Sequence, residues 1–169
     1  MAEINCIRRR WITVYSTGWC AQSRRTKALL KSHGLPFEDN DIDRDPAAAR
    51  QVEEWNEGYR SVPTLDIRMI LVQPSIANLE SILLAPGVRI SDLTIYTDNQ
   101  SPLLPRTLSW LADYDFDYVK IDVEKDAEAA HLVRTWNNGL LAVPTLDVHL
   151  QVTEPTNEEL ERILGLASL

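Results

Sequence analysis

Trp55-Asn56-Glu57-Gly58-Tyr59-Arg60-Ser61-Val62-Pro63-Thr64-Leu65-Asp66 returns 81 residues later as Trp136-Asn137-Asn138-Gly139-Leu140-Leu141-Ala142-Val143-Pro144-Thr145-Leu146-Asp147. The same offset extends outward in both directions. Tyr15 falls on Tyr96 and Asp45 on Asp126, while Pro74, Leu79, Glu80, Ile82 and Leu83 fall on Pro155, Leu160, Glu161, Ile163 and Leu164. From residue 12 to 83 there are 23 identities in 72 ungapped positions, so the two copies are expected to share one fold. A period this long means tandem domains rather than a solenoid. Ala85-Pro86-Gly87 punctuates the chain between them, which sets the expected domains at 1–87 and 88–169.

Within each copy the local signals alternate. Trp11-Ile12-Thr13-Val14-Tyr15 and Leu93-Thr94-Ile95-Tyr96 are β-branched and aromatic runs, hence strands. Helices follow from about Cys20 to His33 and from about Ser101 to Tyr114, with Ser101-Pro102 reading as an N-cap and first-turn pair. Second strands lie near 37–42 and 118–123. Asp45 then caps a helix with Pro46 at its first position and Gly58 as its stop, repeated from Asp126 to Gly139. After each Val-Pro-Thr comes a strand, with room for a hairpin, and a capped last helix opened by Ser75 or by Thr156 with Glu159. The unit reads β-α-β-α-β-(β)-α, an α/β class with a mixed sheet and helices on both faces. Ligands of such sheets gather at the C-terminal ends of the parallel strands. In the first copy that end carries Gly18-Trp19-Cys20.

Composition limits the function classes. With 169 residues, 44% of them hydrophobic, the chain has the make-up of a soluble globular protein. Met1 to Trp11 lacks the apolar run of a secretory signal and no stretch is apolar enough for a membrane span, so a cytoplasmic protein without membrane partners is expected. Two cysteines, Cys6 and Cys20, form no disulfide framework, and His33, His131 and His149 have no ligand-like spacing, so no metal site is expected. The net charge of -8 resides entirely in the second copy: residues 1–87 hold 11 basic and 11 acidic residues, and 88–169 hold 6 and 14. Nucleic acid is a poor partner for such a chain. Arg8-Arg9-Arg10 reads as the solvated lead-in to a strand rather than a recognition patch.

Cys20 is the one residue placed for reactivity. A free thiol with a pKa near about 8.5 is mostly protonated at neutral pH, whereas the N–H groups and dipole at a helix N-terminus favour the thiolate. Arg24, within one turn, adds positive charge. Ser23, three residues on, shares the helix face and is positioned to hydrogen-bond the sulfur. Cys6 precedes the first strand, about 30 Å from Cys20 at roughly 3.3 Å per strand residue, and is not expected to pair with it. The competing reading of Cys20 is a small buried residue in a decayed domain. Trp55 and Trp136 read as packing residues, and Trp19 as either a substrate contact or packing.

A strand ending in Tyr15-Ser16-Thr17, then Trp19-Cys20 at a helix start, then Trp55-Asn56-Glu57-Gly58-Tyr59-Arg60-Ser61-Val62-Pro63-Thr64, resembles the glutaredoxin branch of the thioredoxin fold. Within that branch it is most similar to mycoredoxin and NrdH-like redoxins, and the resemblance runs through the chain twice. It implies a thioredoxin-like fold in two tandem copies, with Cys20 as nucleophile and Ser23 in the place of a resolving cysteine. Val62 and Pro63 would be a cis-peptide loop facing the thiol, and Trp19 and Arg24 would contact substrate. No bound cofactor is implied; the co-substrate would be a low-molecular-weight thiol, glutathione or mycothiol-like. The second copy has Ser101 at the cysteine position. The Gly followed by Ser/Thr-Asp that holds glutathione's γ-glutamyl end in many glutaredoxins is absent, and Gln73-Pro74-Ser75-Ile76 stands there. A Gly-containing turn between the last two strands is missing from both copies.

The expected reaction is therefore monothiol, because Ser23 cannot resolve a mixed disulfide and a second small thiol must. The partners would be small thiols and protein mixed disulfides, with a homodimer allowed for, and the acidic second copy would be scaffold, dimer surface or substrate dock. Two rivals stand beside it. One is a non-catalytic module holding partner chains on its Val-Pro-Thr loops. The other is an iron–sulfur cluster bridging Cys20 of two chains, against which Ala21-Gln22 offers no small open surround.

Overall fold

A computed structural model describes residues 6–166. The first repeat runs β1 (Ile7–Ser16), α1 (Ala21–Ser32), β2 (Glu38–Asp41), α2 (Pro46–Trp55), β3 (Thr64–Val72), α3 (Ile76–Leu83). The second runs β4 (Val88–Thr97), α4 (Leu104–Asp113), β5 (Val119–Asp122), α5 (Ala127–Trp136), β6 (Thr145–Thr153), α6 (Asn157–Ile163). This is a thioredoxin-like α/β arrangement built twice. Four of the helix starts have a local cause: Asp45 accepts from the N–H groups of Ala47 and Ala48, Asp126 from Ala129, and Ser75 and Thr156 each close a capping box. A cap of this kind is worth about 1 kcal/mol.

Neither repeat forms the hairpin that the sequence left room for. β3 ends at Val72, Gln73 turns the chain in the left-handed region at φ 45°, and Pro74-Ser75 start α3 at once. With no return strand, the outer edge of β3 would be a row of unpaired backbone groups. β6 fills it. The two strands pair antiparallel from Thr64↔Thr153 to Val72↔Thr145, and the result is one six-stranded sheet in the order β2-β1-β3-β6-β4-β5. β1 with β2 and β4 with β5 are parallel; the other pairs are antiparallel.

The side-chain alternation of the central strands sorts the helices. Leu65, Ile67, Met69 and Leu71 of β3 and Leu146, Val148, Leu150 and Val152 of β6 point to one face, where they are wholly buried or nearly so against Leu29 and Leu30 of α1, Leu79 and Ile82 of α3, Leu111 of α4, and Leu160 and Ile163 of α6. Both repeats thus share a single core. On the opposite face α2 packs through Ala48, Ala49 and Val52, and α5 through Ala129, Ala130 and Val133, as two smaller clusters. Trp55 meets Tyr15 edge-on at 5.2 Å and Trp136 meets Tyr96 at 5.6 Å, the packing role read from the sequence.

The start of α4 corrects one expectation. Ser101 is not its N-cap. The Asp98 carboxylate accepts from the N–H groups of Gln100 and Ser101 and holds a turn there, so the helix begins only at Leu104, capped by no side chain, with Pro105 in its first turn.

Candidate active site

Cys20 is the N-cap residue of α1, extended at φ -80° and ψ 116°, and its Sγ accepts a hydrogen bond from the Ser23 N–H at 3.4 Å. Burial works against the thiolate, but the nearby Ser23 hydroxyl dipole and the N–H groups of Ser23 and Gln22 outweigh it, and the thiol's pKa is lowered from that of an ordinary cysteine. Ser23 is fully buried, and its hydroxyl finds no partner of good hydrogen-bond geometry, so it acts as a dipole held beside the sulfur rather than as a formed bond. Across the thiol, the Val62 carbonyl lies 3.8 Å from Sγ, and Val62-Pro63 is a cis peptide. The structure therefore brings Cys20, Ser23, Val62 and Pro63 together.

The flanking residues are held in other ways. Trp19 is 72% exposed beside the thiol, its indole N–H donating to Asp43 at 3.0 Å. Arg24 is turned onto the Gly18 carbonyl at 3.1 Å and is not among the leading influences on the Cys20 thiol. Lys27 pairs with Asp39 at 2.9 Å. Cys6 lies near Val72, at the far end of β3 from Pro63, where burial pushes its thiol up to about 11. It is buried in the common core and is no resolving partner for Cys20.

The second repeat supplies part of this site, which sequence reasoning missed. Because β6 runs antiparallel to β3, its last residue comes out beside Thr64, next to the Val62-Pro63 loop. The Glu154 N–H donates to the Pro63 carbonyl at 2.8 Å, the Gln22 side chain donates to the Pro155 carbonyl at 3.2 Å, and the Thr153 hydroxyl donates to Asn56 Oδ1 at 2.6 Å. Glu154 raises the Cys20 pKa through its charge. The expected location of Gln73-Pro74-Ser75-Ile76 is accordingly corrected: without a hairpin β3 carries that segment away from Cys20, and the Gln73 N–H donates instead to the Pro144 carbonyl at 2.8 Å. The signal for this exchange was the missing Gly turn.

At the equivalent position of the second repeat there is no sulfur. Ser101 Oγ accepts from the Leu103 N–H at 3.3 Å, and the Gln73 side-chain amide donates to the Val143 carbonyl at 3.0 Å. Among the described residues, no three His, Cys, Asp or Glu side chains converge to hold a metal ion.

A βαβ unit with a thiol at the first helix N-terminus and a cis X-Pro loop facing it places the first repeat among the thioredoxin-like proteins. Comparison narrows the class: residues 12–70 match the Glutaredoxin family. A 54-residue stretch is 37% identical to "Putative glutaredoxin Rv3198A" of Mycobacterium tuberculosis H37Rv and to "Putative glutaredoxin MT3292" of strain CDC 1551 / Oshkosh, covering 32% of this chain. The chain spans 64% of the length of these relatives. Residues 12–70, within the first repeat, are thus similar to glutaredoxins.

Proposed function

We propose that the protein is a monothiol thiol–disulfide oxidoreductase working through Cys20, and that the second repeat, without redox chemistry of its own, completes the site. The observation that carries this reading is the Cys20 sulfur at the α1 N-terminus, accepting the Ser23 N–H and facing the cis Val62-Pro63 peptide. The Cys20 thiolate attacks the small-thiol sulfur of a protein mixed disulfide. A Cys20–small-thiol disulfide forms, and the protein sulfur leaves as a thiolate and takes up a proton. A second small thiol, as thiolate, then attacks the small-thiol sulfur of that disulfide, giving the oxidised small-thiol dimer and returning the Cys20 thiolate. The incoming small thiol is oxidised to the disulfide level as the protein sulfur is reduced to a thiol, and the sulfur of the first small thiol stays at the disulfide level throughout. Ser23 stabilises the thiolate in the resting and leaving states but cannot displace the product, which is why the external thiol is required.

A glutathione- or mycothiol-like thiol is the co-substrate in this scheme, and a reducing cytoplasm would supply it. No helix among the described residues is long and apolar enough to cross a membrane. The test is reduction of a small mixed disulfide by the wild-type chain, Cys20→Ser and Ser101→Ala. Cys20→Ser abolishes turnover and Ser101→Ala leaves it unchanged. Activity that persists without Cys20 contradicts the proposal.

A further inference from the structure

Glu154 and Gln73 occupy equivalent positions, 81 residues apart, with nearly the same backbone: φ is 49° and 45°, and each N–H donates at 2.8 Å to the carbonyl of the proline facing it, Pro63 or Pro144. Their side chains differ in one chemical respect. The Gln73 amide has N–H donors and spends one on the Val143 carbonyl. An ionised Glu154 has none, so it cannot cap Val62 in the same way. Among the described residues the Val62 carbonyl accepts from the Cys20 thiol, and once Cys20 is a thiolate that donor is lost.

Glu154 is exposed and makes no ion pair among the described residues. The cations flanking the Cys20 helix and the Val62-Pro63 loop have other partners: Arg24 the Gly18 carbonyl, Lys27 Asp39 and Arg60 Glu53. A carboxylate is thus carried on a turn that the Pro63 and Pro155 contacts tie to the Cys20 site, and its charge acts on the Cys20 thiol.

We infer that Glu154, donated by the second repeat, is a specificity residue of the Cys20 site that disfavours small-thiol groups bearing a carboxylate near sulfur and favours uncharged or cationic ones. This rests on the oxidoreductase reading above and names its substrate class. Like charges repel between Glu154 and a carboxylate carried on the Cys20 sulfur, while the open Val62 carbonyl accepts an N–H from a neutral or cationic ligand.

Two measurements on the full chain test it. In the first, Cys20 is alkylated by iodoacetate and by iodoacetamide at low ionic strength, the ratio of rates being referred to a free cysteine. Glu154→Ala raises the iodoacetate-to-iodoacetamide ratio about two- to fivefold, and salt near 0.5 M erases the gain. Glu154→Gln raises it similarly, which separates charge from side-chain size. In the second, a reporter peptide carries mixed disulfides of cysteamine, 2-mercaptoethanol or thioglycolate. The wild type prefers them in that order, and Glu154→Ala flattens the ranking. An unchanged alkylation ratio, or turnover with no charge ranking, overturns the inference while leaving the oxidoreductase reading intact. No turnover of any disulfide by the wild type, with a ratio that still moves, ends the oxidoreductase reading and upholds charge selection at the thiol.

Discussion

Arg68 and His149 stand directly opposite each other where β3 meets β6, and each reaches diagonally to the aspartate of the other repeat. Arg68 holds Asp147 with two hydrogen bonds of 2.9 and 2.7 Å, and His149 meets Asp66 at 2.7 Å. The two residues are 81 apart, so this is the pseudo-twofold centre of the molecule. Arg68 also lies over the rings of Trp11 and Trp136, at 4.7 and 5.9 Å. Arg68→Ala should therefore destabilise the chain by about 1 kcal/mol, most of it from lost ring packing, since the pair is partly exposed and screened. Denaturant unfolding in low and high salt checks this: the salt-sensitive share should be the smaller one.

The common sheet and core make the repeats interdependent. A chain ending at residue 87 would expose the β3 edge and the apolar face now covered by α6. It is expected to self-associate through β3 or to aggregate, and sedimentation reads the outcome. A stable folded monomer of residues 1–87 would contradict the exchange of strands.

A second asymmetry concerns Asn56 and Asn137. Thr153 donates to Asn56 Oδ1, but the residue at its equivalent position is Val72, and the buried Asn137 Oδ1 has no partner among the described residues. Thr153→Val should cost about 1–2 kcal/mol by leaving Asn56 Oδ1 in the same state. Val72→Thr, conversely, should recover up to about 1 kcal/mol by satisfying Asn137. Thermal unfolding of the two variants should shift in opposite directions.

Much of the local structure was legible because local chemistry decides it. Asp45 before Pro46, Thr156 before Glu159 and Cys20 at the α1 start each act within one turn of helix, and the two Val-Pro-Thr stretches announced their own equivalence. The strand pairing was not legible in the same way. Leu65, Ile67, Met69 and Leu71 alternate correctly whichever strand lies beside β3, so periodicity cannot say that the neighbour is β6. For the same reason Glu154, Thr153 and Pro155 could not be assigned to the Cys20 site from spacing, and the loop after β3 was placed in the wrong repeat. Ser101 misled because Asp98, three residues earlier, holds the Gln100 and Ser101 N–H groups in a turn and Ser101 Oγ closes a further turn on the Leu103 N–H, so the helix begins later than a capping serine suggests.

The most direct measurement is the pH profile of alkylation at the two thiols, followed by mass spectrometry of the labelled peptides. Burial, Ser23 and the α1 N–H groups act on Cys20 with a net lowering, so its rate should level off below the pH at which a free cysteine does. Cys6, pushed up to about 11 by burial, stays protonated through this range and should remain unlabelled. An apparent pKa for Cys20 at or above that of a free thiol would contradict the account of this site as a redox centre.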